Sequence, residues 1–199
     1  MRALRTPLTM AVLSLLREQP RHPYEMQALV RERHIGEVVK LRGGSLYDAI
    51  RRLERAGLVQ PVETTRAGTR PERTVYAITD SGRETLRSLV REYVGTPAEE
   101  YPTFTAGLAH LLNLDRDEVA LLLQSRIDAL QAELDDTDRH LTPLQRAGVP
   151  RIVLLEVEYT QTLRRTEIEW LRQVVRAIEA GALPWPTEEA DSTATRRVP

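Results

Sequence analysis

Residues 43–59, GGSLYDAIRRLERAGLV, restrict most strongly what this chain can fold into. Ser45 is placed to cap a helix, and Gly57 is placed to end it in a left-handed conformation. A helix of about three turns is not stable alone in water, so it must pack on neighbouring elements. One face is apolar and the other carries arginines. The apolar stripe consists of Leu46, Ile50, Leu53 and Ala56.

The neighbouring segments predict two helices before this one and two strands after it. Helices are expected over residues 7–18 and 23–34, because each begins with a proline suited to the first turn. The segments LVQPVET and RTVYAIT predict short strands joined by a basic loop. This order is that of a winged helix-turn-helix, in which the third helix enters the major groove of DNA. The expected fold is therefore mainly α, with a two-stranded wing.

The charged and polar residues around the third helix are the predicted DNA contacts. An arginine there can donate two hydrogen bonds to a guanine, and bases are usually read from the first turns of such a helix. Basic residues before the helix and in the wing suit phosphates or a minor groove. Two roles stay open for Tyr47: a DNA contact, or a structural role in which its ring braces helix 3 against helix 2 and only its hydroxyl reaches a phosphate. The predicted contacts are Lys40, Arg42, Ser45, Tyr47, Asp48, Arg51, Arg52, Arg66 and Arg70, with Arg55 and Arg73 ranked last.

Charge divides the chain into two parts. Residues 1–94 hold 17 Lys+Arg and 11 Asp+Glu, a balance of +6, whereas residues 95–199 hold 11 and 18, a balance of −7. A basic first part suits a polyanion. We therefore expect a winged-helix DNA-binding domain at 1–95, an α-helical dimerisation and effector domain at 96–183, and a flexible tail at 184–199.

The acidic part is helical by its periodicity. Helices are expected at about 103–113, 116–141 and 151–180, the second capped by Asp115 and the third ended by Gly181. Two long amphipathic helices bury only part of their apolar surface on each other, so a second copy is the expected cover. A monomeric antiparallel pair packed on the winged helix is the alternative. The predicted dimerisation residues are Leu123, Ile127, Leu130, Leu134, Leu163, Leu171 and Val174.

Two aromatic residues of the last helix have two possible roles. Tyr159 and Trp170 lie where they can line a pocket for a small-molecule effector. The alternative for each is core or interface packing. A ligand among these helices would change the spacing of the two recognition helices in a dimer.

Several functional classes are unsupported by the sequence. The chain has no cysteine and only four histidines, which show no metal-ligand spacing. Neither a phosphate-binding loop nor a nucleophile elbow occurs. We expect no enzyme activity and no cofactor. The first residues lack a signal-peptide cleavage site, and no stretch approaches the length of a membrane span, so a cytoplasmic protein is expected.

Three motifs resemble the PadR family of bacterial transcriptional regulators. They are HPYEM at 22–26, GGSLYDAIRRLERAGLV at 43–59 and RTVYAITDSGRETL at 73–86, in that order and approximate spacing. The resemblance covers roughly residues 5–95. It implies a winged helix followed by helices that build a homodimer, and repression relieved by a small molecule.

The leading hypothesis is a homodimeric repressor that binds a palindromic operator in double-stranded DNA. The alternatives are a winged helix used as a protein-interaction module and an enzyme with an unrecognised site. Salt-dependent binding to a duplex separates the first two. The operator sequence, the regulated genes, the effector and the choice between repression and activation do not follow from the residues.

Overall fold

A computed structural model of the chain describes residues 4–33, 44–65 and 73–185, without the side chains of 64, 65 and 73. The chain divides into two compact units, Met1–Glu100 and Tyr101–Pro199. Among the described residues, no helix is long and apolar enough to cross a membrane. The first unit contains α1 (Pro7–Glu18), α2 (Pro23–Glu32), α3 (Ser45–Arg55), β1 (Val59–Thr65), β2 (Arg73–Ile78) and α4 (Asp80–Gly95). The second contains α5 (Thr103–Leu108), a 3-10 turn (Leu111–Asn113), α6 (Arg116–Arg146) and α7 (Arg151–Glu179).

The first unit has the predicted order of a winged helix, and this prediction is confirmed. Its core joins the three helices to the wing and to α4 through fully apolar contacts. Leu13, Met26 and Leu53, one from each of the first three helices, are completely buried. Each buried aliphatic side chain contributes roughly 1.5–3 kcal/mol through removal of apolar surface from water. The core therefore holds α3 with its apolar face inward.

Local capping explains where the first two helices begin. The Thr6 side chain accepts a hydrogen bond from the Thr9 backbone N–H at 3.1 Å, and Pro7 occupies the first turn. His22 Nδ1 accepts from the Tyr24 N–H at 3.1 Å, while the Glu25 carboxylate accepts from the His22 N–H at 3.4 Å. This reciprocal pair is a capping box, built here with histidine in place of serine or threonine.

The wing is an antiparallel pair in which Val59 lies opposite Ile78 and Thr65 opposite Arg73. The register shifts between Pro61 and Glu63. A proline cannot donate a ladder hydrogen bond, so an irregularity of this kind accommodates it. Val62 therefore has no partner in the register, and the pairing continues on both sides of it.

The second unit is built on the antiparallel pair α6 and α7. Its core includes the predicted Leu123, Ile127, Leu134 and Leu171. The periodicity of α7 predicts a buried stripe of Leu155, Tyr159, Leu163, Trp170, Leu171, Val174 and Ile178, and this prediction is wrong for the first four. Leu155, Tyr159, Leu163 and Trp170 are 43–65% exposed. The buried stripe instead consists of Leu154, Gln161, Ile168, Leu171, Val175 and Ile178.

A polar residue shifts that stripe. Gln161 is 1% exposed, and its amide donates to the Leu134 carbonyl at 3.0 Å and to the Asp138 carboxylate at 2.9 Å. Arg164 in turn donates to the side-chain oxygen Oε1 of Gln161 at 3.1 Å. A buried amide whose donors and acceptor are all paired is tolerated in a core. The sequence pattern treats glutamine as a surface residue, so it selects the wrong face.

The end of α6 also differs from the prediction. We expected a break at Thr142, but the helix continues through Pro143 to Arg146. It ends where Gly148 adopts φ +76°, with the Val149 N–H bonded to the Leu144 carbonyl at 3.1 Å. A proline removes one helical hydrogen bond, whereas a glycine in the left-handed region offers a complete terminus. The glycine therefore sets the boundary.

Three smaller expectations are corrected. The helix expected at 103–113 is α5 followed by a separate 3-10 turn. Asp115 occupies the cap position of α6, but its side chain makes no capping hydrogen bond. Residue 185 does not belong to a free tail, because the Trp185 indole N–H donates to the Leu114 carbonyl at 3.0 Å. Residues 186–199, the rest of the predicted tail, lie outside the described residues.

Candidate nucleic-acid interface

The two faces of α3 differ completely in exposure. Leu46, Ala49, Ile50 and Leu53 are each no more than 3% exposed, and they pack into the core of the first unit. The opposite face carries Tyr47, Asp48, Arg51 and Arg55, all exposed. A helix whose apolar side is packed in the core and whose other side is polar can enter a DNA groove while it stays packed on its domain. The predicted Tyr47, Asp48 and Arg51 therefore share one accessible surface.

The first turn of α3 corrects the expected cap. The helix begins at Ser45, and the cap position is Gly44, which has φ +79° and no side-chain capping bond. A left-handed residue favours glycine, because an L side chain is strained there. Ser45 is the first helical residue and is half-buried. It stays a predicted DNA contact from a different position than the one expected.

The arginines of α3 are not equivalent. Arg51 and Asp48 each have 69% exposed side chains, and their closest charged atoms are 3.7 Å apart. Such an exposed pair contributes at most about 1 kcal/mol and is easily exchanged for another partner. Arg55 folds back, its Nε donating to the Arg51 carbonyl at 3.2 Å. Arg51 is thus the arginine best placed to reach a base.

Arg52 does not lie fully on the solvent face of α3, contrary to the expectation. Its side chain is half-buried, and its Nε atom is enclosed without a hydrogen-bond acceptor among the described residues. The long aliphatic stem of an arginine commonly covers apolar surface in this way. Only the terminal nitrogens of its guanidinium remain available to contact a phosphate. Arg52 therefore stays a predicted contact, with less reach than Arg51.

Tyr24 is a further exposed aromatic residue that sequence reasoning missed. The sequence pattern places Tyr24 with Met26, Leu29 and Val30 on the apolar face of this helix, but it is 66% exposed. The buried residues of α2 are Pro23, Met26 and Val30, a spacing that leaves residue 24 outside the core. In a helix-turn-helix, the helix that precedes the recognition helix crosses the DNA backbone, and in this chain that helix is α2. Tyr24, in the first turn of α2, has a hydroxyl suited to a phosphate.

The α3 helix is fixed to the wing through Tyr76 of β2. Burial raises the pKa of the Tyr76 phenol, and the negative charge of the nearby Glu54 carboxylate of α3 raises it further. The backbone of Tyr76 also pairs with Arg21, with an N–O distance of 3.0 Å in each direction. One residue therefore links the wing to α3 and to the segment before α2.

The motif at Thr79 and Gly82 fixes the C-terminal end of α3. The Thr79 hydroxyl donates to the Gly57 carbonyl at 2.7 Å and accepts from the Gly82 N–H at 3.1 Å. The Thr79 N–H donates to the Leu58 carbonyl at 3.1 Å. A Cβ atom at Gly82 would lie 2.1 Å from that same carbonyl oxygen. Thr79 and Gly82 therefore allow α4 to pack closely against the turn that follows α3.

Several predicted DNA contacts lie outside the described residues. They are Lys40 and Arg42 before α3, and Arg66 and Arg70 in the wing loop. The backbone of Arg73 begins β2, but its side chain also lies outside the described part. These residues remain predictions from the sequence.

The predicted dimerisation residues are mostly buried inside one copy of the second unit. Leu123, Ile127, Leu134 and Leu171 belong to the α6–α7 core, and Leu130 and Val174 pack against it. Burial within the chain corrects the expectation that this seam requires a second copy to cover it. Leu163 is different, because it is 51% exposed on the opposite face of α7.

The two predicted effector residues lie on that exposed face of α7. Tyr159 is 65% and Trp170 is 43% exposed. The Trp170 ring packs edge-on against Phe104, with the ring centres 6.4 Å apart. The Arg126 guanidinium lies over the Phe104 ring, 3.8 Å from its centre. Arg126 also forms an ion pair with Glu167 at 2.6 Å. This small aromatic and charged cluster holds α5 against α6 and α7.

Comparison with known proteins agrees with this geometry. Residues 12–88 match the model of the transcriptional regulator PadR-like family. The chain is 23% identical over 179 residues to the negative transcriptional regulator PadR of Bacillus subtilis, covering 86% of this chain and 97% of that protein.

Solved structures show the same fold. The Bacillus subtilis PadR structure in complex with operator DNA has a TM-score of 0.71 at 22% identity, covering 89% of this chain and 98% of that one. The same protein in complex with p-coumaric acid also has a TM-score of 0.71, at 19% identity, covering 87% and 99%. The family match lies on the unit that carries α3 and the wing, so the chain contains a PadR-like domain, the domain of a family of transcriptional regulators.

Proposed function

We propose that this chain is a homodimeric repressor that binds a palindromic operator through α3 and is released by a small molecule. The observation that carries the proposal is the division of α3 into one buried apolar face and one exposed face bearing Tyr47, Asp48 and Arg51. Operator DNA is the ligand of the Bacillus subtilis relative. In this chain, Arg51 reads a base, while Ser45, Tyr24 and Tyr47 contact the backbone.

The basic residues around α3 add affinity without sequence preference. Lys40 and Arg42 precede the helix, and Arg66 and Arg70 belong to the wing loop. Each arginine or lysine that neutralises a phosphate releases counterions, so binding weakens as salt rises. These residues orient the domain on the duplex, and the first turns of α3 supply the discrimination.

The homodimer forms through the exposed stripe of α7. Its residues recur at spacings of three, four and seven along the helix, opposite the buried seam. Apolar side chains in a continuous row favour burial against a second copy, and a two-fold pair of chains matches a palindromic site. The stripe consists of Ile152, Leu155, Tyr159, Leu163 and Trp170, which are 43–74% exposed.

A small molecule releases the operator by binding the arrangement that does not fit DNA more tightly than the one that does. The Bacillus subtilis relative binds p-coumaric acid. Tyr159 and Trp170 are the sequence-based candidates for effector contact in this chain. Their place on the α7 stripe also makes them candidates for the dimer interface.

Selection from a random pool of duplexes tests the DNA-binding part. The full chain is expected to enrich a two-fold symmetric sequence, and its affinity for that duplex should fall linearly in log K against log salt. A winged helix that serves as a protein-interaction module would enrich no sequence and show no steep slope. That result would remove DNA binding from the proposal.

Sedimentation of two variants tests the dimer. Leu163→Arg places a charge in the exposed stripe, and it should shift the chain towards monomer. Ser125→Arg adds the same charge to an exposed residue of α6, which lies outside the α7 stripe. This control should sediment as the unaltered chain does. A Leu163→Arg dimer as tight as the original would show that α7 does not form the interface.

A further inference from the structure

A groove of about 670 Å³ lies between α1 and α4 in the first unit. Cavities that hold small molecules typically span about 300–1,000 Å³. The α4 residues that line it recur at positions 83, 86, 87, 90 and 91, which is the spacing of a single helical face. The floor is apolar and consists of Pro7, Met10, Ala11, Leu15, Leu86 and Val90. The groove therefore offers a site with an apolar floor outside the surface of α3.

The rim of this groove is strongly positive. Five arginines line it, at positions 17, 33, 83, 87 and 91, with Glu18 as the acidic residue among the lining residues described. Glu18 is occupied by Arg33, whose guanidinium nitrogens lie 2.5 and 3.1 Å from its two oxygens. This pairing lowers the pKa of Glu18, so its carboxyl stays ionised. The charge of the rim is thus only partly neutralised.

Two arginines of the rim have no acidic partner among the residues that the structure describes. Arg87 and Arg91 both lie 3.3 Å from Glu84. Within the part of the chain that the structure describes, Arg17 and Arg83 make neither an ion pair nor a hydrogen bond through their side chains. An exposed guanidinium beside an apolar surface is a strong donor for a carboxylate. These two residues are the available anion-binding groups of the groove.

The unpaired arginines lie at the same end of the groove. An ion pair between Arg5 and Glu92 places the beginning of α1 beside the end of α4. This contact indicates that the two helices run antiparallel, which assigns Arg17 in the last turn of α1 and Arg83 in the first turn of α4, both lining residues, to the same end of the groove. The opposite end is formed by Pro7, Met10 and Val90. The groove has a cationic end and an apolar end.

We propose that this groove binds an amphipathic organic carboxylate, with the acid group at Arg17 and Arg83 and the apolar body along Met10 and Leu86. Its identification as the effector rests on the proposed function. Leu15 and Leu86 of the floor belong to the same core as Leu46, Ile50 and Leu53 of α3. A bound acid thus contacts the packing that supports the recognition helix.

Calorimetry on the full chain without DNA tests the site. The probes are octanoate and 3-phenylpropionate, their neutral amides, and acetate. Both a charge and an apolar body are needed, so the acids should bind at least tenfold more tightly than the amides, and acetate should not bind. Comparison of the two acids distinguishes an aliphatic from an aromatic ligand. Equal binding of acid and amide would overturn the proposal, as would no binding of either acid.

Arginine variants locate the bound acid. Arg17→Met and Arg83→Met remove the charge and keep an apolar side chain, and each should weaken acid binding about tenfold. Arg31→Met, on an exposed arginine that does not line the groove, is the matched control and should bind as the unaltered chain does. Acid binding that survives both groove variants would place the ligand elsewhere.

Release of DNA is measured separately, so that two kinds of failure can be distinguished. If an acid binds in the Arg17-dependent manner but leaves affinity for the selected duplex unchanged, the site stands and its effector role is wrong. If the chain selects no duplex, the calorimetric result still decides the site. Loss of DNA affinity at acid concentrations that saturate the groove supports both parts.

Discussion

Gly82→Ala should destabilise the first unit, although alanine is the better helix former. The added Cβ would meet the Leu58 carbonyl oxygen at 2.1 Å and Ile78 Cγ1 at 2.8 Å. The oxygen belongs to the backbone and cannot rotate away, so α4 or the turn after α3 must shift. Overpacking of this kind costs about 1–3 kcal/mol, and the shift also weakens the capping bond from Gly82 to Thr79, worth about 1 kcal/mol. The gain in helix propensity is about 1 kcal/mol.

The expected net loss is therefore about 1–3 kcal/mol, or roughly 2–12 °C in melting temperature for a chain of this size. Thermal and urea unfolding followed by far-ultraviolet circular dichroism measure it. Gly95→Ala is the matched control in the same helix, because its Cβ would meet nothing within 4 Å. The control should be neutral or slightly stabilising. A Gly82→Ala chain as stable as the control would refute the argument that close packing requires this glycine.

Three further outcomes follow from the same contacts. Gln161→Ala should destabilise the second unit by about 1–3 kcal/mol in urea unfolding, because the bonds to Leu134 and Asp138 are lost from a buried site. Arg33 depresses the pKa of Glu18, so the stability that this carboxylate contributes is present above its ordinary pKa of 4.5 and is lost as the pH falls below it. Glu18→Gln should therefore flatten the acid limb of a stability profile; an unaltered limb would contradict the pairing. Alanine at both Arg66 and Arg70 should reduce the slope of log K against log salt by about two units if both touch phosphate, and an unchanged slope would place the wing loop away from DNA.

Much of the first unit could be predicted from the sequence, because its local signals agree with its packing. Thr6-Pro7 marks the start of α1, and Gly57 ends α3 with φ +70°. The apolar spacing of α3 predicts its buried face correctly at Leu46, Ile50 and Leu53. Capping, periodicity and turn chemistry indicate the same structure in such a segment, so a single predicted structure agrees with all three signals.

The second unit was less predictable, because its seam contains a polar residue. Gln161 is buried by hydrogen bonds to a carbonyl and a carboxylate of the other helix. Those acceptors are known only once the two helices are paired, so no local pattern reveals them. The apolar residues of α7 that the pattern selected, such as Tyr159 and Leu163, lie on the exposed face instead.

The residues of the candidate site also divide into those that the sequence indicated and those that required the structure. Residue type and spacing were sufficient to indicate Tyr47, Asp48 and Arg51 on the outer face of α3. The half-buried position of Arg52 and the exposure of Tyr24 depend on neighbouring elements, so they required the structure. A tyrosine has both an apolar ring and a polar hydroxyl, and its sequence position alone does not say which one is used.

The most direct test of the account is titration of Arg51→Ala against the selected duplex and a scrambled one. Arg139→Ala is the matched control, because Arg139 is similarly exposed, at 72% against 69%, and also pairs with an aspartate three residues before it. We predict that Arg51→Ala weakens binding to the selected duplex by about 1–3 kcal/mol, with a smaller effect on the scrambled one. The control should bind both as the unaltered chain does. Equal losses on both duplexes would reduce Arg51 to a phosphate contact, and unchanged binding to the selected duplex would contradict the claim that the exposed face of α3 reads DNA.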